Sequence, residues 1–122
     1  MASVLVPLTS AEQFDALLEE SARRPVLLFK HSASCGTSAQ ALDELADHLE
    51  RDDHVGAHYA LVTVQSHRAV SNHIAQRLGI RHETPQSLLL VDGQVVWSAS
   101  HFRVTAASIA KALATHRGTA AR

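Results

Sequence analysis

Apolar residues recur along the chain at two spacings, and the alternation between them predicts the order of its elements. Ser10-x-x-Gln13 reads as a capping box, and Phe14, Leu17 and Leu18 behind it share one helical face. A first helix therefore runs to about Ala22, where Arg23-Arg24-Pro25 stops it. Val26 to Phe29 is an unbroken apolar run, the mark of a strand buried on both faces. Polar Lys30, His31 and Ser32 end that strand, and Ala33-Ser34-Cys35-Gly36 forms the turn beyond it. A second helix carries Ala39, Leu42, Leu45, Ala46 and Leu49 on one face and Gln40, Asp43, Glu44, Asp47 and Glu50 on the other.

The polar stretch from Arg51 to His58 reads as a loop, and Tyr59 to Val64 as a second buried strand. Ser66 is placed to cap a third helix carrying Val70, Ile74 and Leu78, with Gly79 where a left-handed stop belongs. After the Thr84-Pro85 break, the runs Ser87–Val91 and Gln94–Ser98 flank Asp92-Gly93, a strong hairpin signal. Thr105 opens a last helix through Ile109 and Leu113, which Gly118 is expected to end. Strands separated by helices imply parallel pairing with right-handed crossovers, and the hairpin adds an antiparallel pair. The expectation is an α/β fold: a mixed four-stranded sheet with helices on both faces.

Composition narrows the class. With 122 residues the chain fits one domain over 1–122, a core of about 4–116 and a polar tail, 118–122. A hydrophobic share of 46% fills a real core, so disorder and fibrous classes are excluded. Net charge is −1 with the two signs interspersed, which builds no basic stripe for nucleic acid and no polybasic membrane anchor. The longest apolar runs are far shorter than a bilayer span. Met1 to Pro7 has no charged start and no cleavage signal, so the expected location is the cytoplasm.

The single cysteine excludes an internal disulfide and an all-cysteine metal site. Cys35 stands between a buried strand and the first turn of a long helix, where free backbone N–H groups and the helix dipole favour thiolate over thiol. Lys30 and His31 at the strand end are placed to add positive charge. Gly36 leaves the backbone open to a partner. Ser38 stands three residues on, where a two-cysteine redox enzyme carries its resolving thiol. Its hydroxyl can donate a hydrogen bond to Cys35 but forms no disulfide, so an outside thiol must resolve any mixed disulfide. The alternative is a serine cap with Cys35 as filler, and the motif alone leaves both open. Thr84-Pro85, an X-Pro step before an apolar strand, is a candidate cis bond at the same sheet end as Cys35. An ordinary trans proline at a strand edge is the competing account.

Phe29-Lys30-His31-Ser32-x-x-Cys35-x-x-Ser38, then His82-Glu83-Thr84-Pro85-Gln86, then Ser100-His101, resembles the YtxJ-type monothiol bacilliredoxins. The similarity extends from about Val4 to Leu113. It implies a thioredoxin-like fold and an enzyme that acts on client proteins carrying bacillithiol as a mixed disulfide. Cys35 would be the nucleophile and become S-thiolated, and bacillithiol, as co-substrate, or a partner redoxin would release it. No tightly bound cofactor is implied. Pro85 would be the cis-proline, Thr84 the backbone pairing site and Ser38 the non-resolving position. His101 would contact the carboxylates of the small thiol, and Gly36 and Thr37 would flank it. Family members often carry Pro-Ile where Gly36-Thr37 stands here, which leaves the identity of the thiol open. Cys-Gly-x-Ser also resembles the monothiol glutaredoxins that hold an iron–sulfur cluster.

Nine histidines raise the question of a metal. His54-x-x-x-His58 alone has ligand-like spacing, in a predicted loop without a third ligand, while His48, His73 and His116 are expected on solvent-facing helix surfaces. No zinc is predicted. Trp97 and Phe102 are read as packing. Three classes therefore stand: a thiol–disulfide exchange enzyme, an iron–sulfur carrier sharing a cluster across a dimer, and a non-catalytic thioredoxin-like module with an inert cysteine.

Overall fold

The expected series of elements is present, with one strand ahead of it. The computed structural model describes residues 5–51 and 56–120, with side chains as far as His116. Its elements are β1 (Leu5–Pro7), α1 (Ala11–Glu20), β2 (Val26–His31), α2 (Gly36–Leu49), β3 (His58–Thr63), α3 (Arg68–Leu78), β4 (Gln86–Val91), β5 (Gln94–Ser100), a 3-10 turn (His101–Arg103) and α4 (Ala106–Ala120). They form a mixed five-stranded sheet in the order β1-β3-β2-β4-β5. The expected four strands are all there. The fifth, β1, pairs parallel with Tyr59–Leu61 of β3 at the sheet edge. At three residues it is too short to display the alternation from which a strand is read.

Strand β2 lies at the centre, parallel to β3 and antiparallel to β4. Its alternate side chains feed two separate cores. Val26 and Leu28 pack with Phe14, Leu18, Val70 and Ile74 of α1 and α3. Leu27 and Phe29 pack with Ala41, Leu45, Ile109 and Leu113 of α2 and α4. Burial on both faces explains the unbroken apolar run.

The caps follow local chemistry. Ser10 accepts the Gln13 N–H at 3.2 Å, but the Gln13 carboxamide turns back to the Thr9 N–H at 2.6 Å, one residue before the expected box partner. Gly79 ends α3 with φ of +64°, as expected. The start of α3 differs: the His67 N–H bonds to Thr63 O at 3.0 Å, closing a turn that includes Ser66, and His67 becomes the N-cap. At the other end of the chain, Gly118 does not stop α4, which continues to Ala120. A glycine in a helix costs only about 1 kcal/mol relative to alanine, which its neighbours can offset.

The buried face of α2 is turned from the expected one. Ser38, Ala41, Leu45 and His48 form it, Leu42 and Leu49 flank it, and Ala39 and Ala46 face solvent. Two polar residues take core positions, each with a hydrogen-bond partner inside. Ser38 is bonded at the end of β2, and His48 Nε2 lies 2.7 Å from the Tyr59 hydroxyl. His48 is therefore a core residue rather than a solvent-facing one. His73 is half-buried, 2.8 Å from Asp15 and edge-on to Phe14. His54 lies outside the described residues, and His58 opens β3. Among the described residues no helix is long and apolar enough to cross a membrane.

Candidate functional site

Strand register collects the candidate residues at one end of the sheet. Lys30 near the end of β2 stands opposite Gln86 at the start of β4, and Gln86 stands opposite Ser100 at the end of β5. The turn after β2, the Thr84-Pro85 loop and the His101 turn consequently meet there. The Thr84-Pro85 bond is cis, and Pro85 O accepts the His101 N–H at 3.0 Å. The third neighbour is the segment after β3, because His31 is paired with Thr63.

Cys35 is the N-cap of α2, in extended conformation with φ of −115° and ψ of 123°. Its N–H bonds to Ser32 O at 3.3 Å, and its carbonyl accepts the first helical bond from Ala39 at 3.1 Å. The side chain makes no capping hydrogen bond and is partly exposed. The first-turn N–H groups of a helix have no partner within the helix, so they are free to face an anion at this point. A Cβ at Gly36 would meet nothing within 4 Å. Glycine is thus not required by packing there, and its bareness keeps one flank of the sulfur open. Thr37, half-buried, lines a small recess with Gln40, His101 and Phe102.

Ser38 is fully buried. Its Oγ accepts the Ser32 N–H at 2.9 Å and lies 2.8 Å from His31 Nδ1. The expectation that its hydroxyl is directed at Cys35 is corrected by these partners. His31 is half-buried and stacked on Phe29 with ring centroids 6.0 Å apart. Burial lowers its pKa. His31 therefore backs the first turn of α2.

Lys30 departs furthest from expectation. It projects to the opposite face of the sheet, is 0% exposed, and places Nζ 3.0 Å from His82 Nδ1. It is not presented to a ligand. Burial without a carboxylate partner pushes its pKa down to about 8. His82 is lowered too, first by its own burial and then by the positive charges of Lys30 and Arg68.

Beside the cis-proline loop, Glu83, Ser100, His101, Phe102 and Arg103 line an open groove of about 460 Å³. His101 holds φ of +55°, and its Nδ1 is 3.7 Å from Glu83 Oε1. Phe102, read from sequence as packing, is 73% exposed, whereas Trp97 does pack against the α2/α4 core. Gln65 was missed. Its carboxamide accepts the Ala33 N–H at 3.0 Å and donates to Ser32 Oγ at 2.7 Å and Ser34 Oγ at 3.0 Å, clamping the turn before Cys35. A polar residue directly beyond a strand parallel to β2 was the available signal. Among the described residues no three His, Cys, Asp or Glu side chains gather as a metal site.

Two outcomes are expected. Replacing Gln65 by alanine should lower stability by about 1 kcal/mol and speed amide exchange at Ala33, read by hydrogen exchange. Lys30→Met should stabilise the protein by about 2 kcal/mol at pH 7 in urea unfolding. Because the folded pKa is about 8 and the ordinary one 10.5, the burial cost is full below pH 8. It disappears as pH rises through that interval, so the advantage of the variant should be largely gone by about pH 10.5.

Comparisons with known proteins agree with this arrangement. A solved protein described as having a thioredoxin fold and assigned to the oxidoreductases is 34% identical, with TM-score 0.78 over 89% of this chain and 93% of that one. The thioredoxin of Malassezia sympodialis is 17% identical, with TM-score 0.74 over 93% of this chain and 91% of its own. A mutant thioredoxin of Halobacterium salinarum is 18% identical, with TM-score 0.71 over 96% of both chains. The family model for monothiol bacilliredoxin BrxC matches residues 6–109. A partly exposed lone cysteine heading α2, a cis-proline loop beside it and this match agree: the chain belongs to the monothiol bacilliredoxin family, thiol oxidoreductases built on the thioredoxin fold.

Proposed function

We propose that this protein removes bacillithiol from mixed disulfides on client proteins in the cytoplasm, with Cys35 as the nucleophile. The observation that carries the reading is Cys35 itself: partly exposed, uncapped, and at the head of α2, at the sheet end it shares with the cis Thr84-Pro85 loop. The thiolate of Cys35 attacks the bacillithiol sulfur of the client disulfide. The S–S bond breaks, the client leaves as thiolate and takes a proton, and Cys35 keeps the bacillithiol as a new mixed disulfide. A second bacillithiol, as thiolate, then attacks that adduct, which releases oxidised bacillithiol and restores Cys35. A partner redoxin thiol serves the same step.

The surroundings support this assignment of roles. Ser38 stands in place of a resolving thiol, so the adduct waits for an external thiol. The Thr84 backbone borders an extended client segment, and Gly36 and Thr37 flank the sulfur. Arg103 supplies a positive charge to the groove that Glu83, His101 and Phe102 also line, suited to a carboxylate of the small thiol. No resident cofactor enters the reaction.

The test is intact-mass analysis with a bacillithiolated client. Wild-type protein should release the client and gain one bacillithiol on Cys35, and Cys35→Ala should abolish both changes. Release at an unchanged rate by Cys35→Ala would end the proposal. Faster adduct formation with glutathione disulfide than with bacillithiol disulfide would assign the protein to a different thiol.

A further inference from the structure

We infer that Lys30 is a positioning residue for the client-pairing loop, fixing the Thr84-Pro85 segment through its contact with His82. The inference deepens the reading of Thr84 as the backbone that borders a client, and it rests on that reading.

The loop between α3 and β4 is held at three points. Gln86 Nε2 donates to Arg81 O at 3.0 Å, which closes the chain into a short arc containing His82, Thr84 and the cis-proline. Pro85 O accepts the His101 N–H at 3.0 Å, which ties one foot of the arc to the turn after β5. The other foot is held at His82, whose Nδ1 lies 3.0 Å from Lys30 Nζ and 3.3 Å from Ser71 Oγ. Strand β2 and helix α3 thus grip the same ring nitrogen. These ties fall on either side of Thr84 and leave its own backbone to a partner.

The contact between Lys30 and His82 has one chemical form. An ammonium has three protons to give and nothing to accept with, so Lys30 can only donate. Nδ1 must therefore be unprotonated, with the ring proton on Nε2, and because His82 is an exposed residue water can take that proton's hydrogen bond. Lys30 itself is wholly buried. An apolar chain of the same length would fill its space at lower cost. What the charged end adds is direction, since Nζ bonds to one atom of one loop residue.

Protonation of His82 would set an N–H against the ammonium and break the contact. Burial and the charges of Lys30 and Arg68 oppose that protonation, while Glu83 favours it. Ser71 of α3 and Gln86 of β4 are uncharged. An extended client pairs most tightly with a loop already in place, because a loop ordered at each encounter adds its conformational entropy to the cost of binding. That cost falls equally on the bound complex and the transition state, so it appears in KM rather than in kcat.

The test uses Lys30→Met, which keeps an unbranched chain and loses the donors. Nitrogen-15 order parameters at Glu83 and Thr84 should drop from the rigid value of about 0.85 toward the flexible value of about 0.6, even as resistance to urea rises. A side chain that only filled space would move loop order and global stability together. With the bacillithiolated client, KM should rise about fivefold at near wild-type kcat, the effect expected of one hydrogen bond. His82→Phe should loosen the loop likewise, and adding Lys30→Met to it should loosen it no further. Unchanged order parameters in Lys30→Met, additive effects in the pair, or an unchanged KM with a loosened loop overturns the proposal. Should the variants fail to fold, the wild-type ring spectrum decides: an unprotonated Nδ1 on His82 at pH 7 is expected, and a protonated one overturns it. The order parameters and the ring spectrum need no client, so they stand or fall apart from the bacillithiol reaction.

Discussion

Everything at the site depends on the antiparallel pairing of β2 with β4. Parallel crossovers alone place β2 and β3 side by side, with both chains leaving the sheet at the same end. Setting Lys30 opposite Gln86 brings a segment some fifty positions later back to that end, entering the sheet where β2 leaves it. Cys35 and the cis-proline loop share one end of the sheet because of that register. A slip of one residue would turn every β4 side chain to the other core and move Leu88 and Leu90 away from α1 and α3. The two cores therefore hold the register, and the register holds the site.

Much of this was legible in the chain. Unbroken apolar runs marked the central strands, Asp92-Gly93 marked the hairpin, and Gly79 marked the end of α3. The position of Cys35 at the head of a helix also followed from pattern, as did the sheet end it shares with Pro85. The less legible features were polar residues inside. A rule that counts apolar positions assigns Ser38 and His48 to solvent, and nothing local says that Ser32 and Tyr59 supply their partners. Lys30 was read as a strand terminator because charge is costly to bury. Its burial depends on His82, fifty-two positions away. Gln65 was hard to read for a related reason: its value comes from loop backbone that only the β2/β3 register brings alongside.

Two of these buried polar pairs lie where β2 ends. Lys30 with His82 lies on one face, and His31 with Ser38 on the other, both at the rim that carries Cys35. The far end of the sheet is joined more simply, by Ser21 binding the N–H groups of Asp92 and Gly93. Partly desolvated donors and acceptors have few alternative partners, so their hydrogen bonds are directional constraints on the loops above them. Stability is spent at the rim, and geometry is gained.

The sealed position of Ser38 has one more consequence. With a lone sulfur and a buried hydroxyl where a second thiol would stand, the protein has no closed ring to form and no internal store of oxidising equivalents. Under the proposed reaction, a group lifted from a substrate stays attached as a covalent passenger until another molecule arrives. At equilibrium, the fraction of molecules carrying that passenger mirrors the ratio of oxidised to reduced thiol in the surrounding solution.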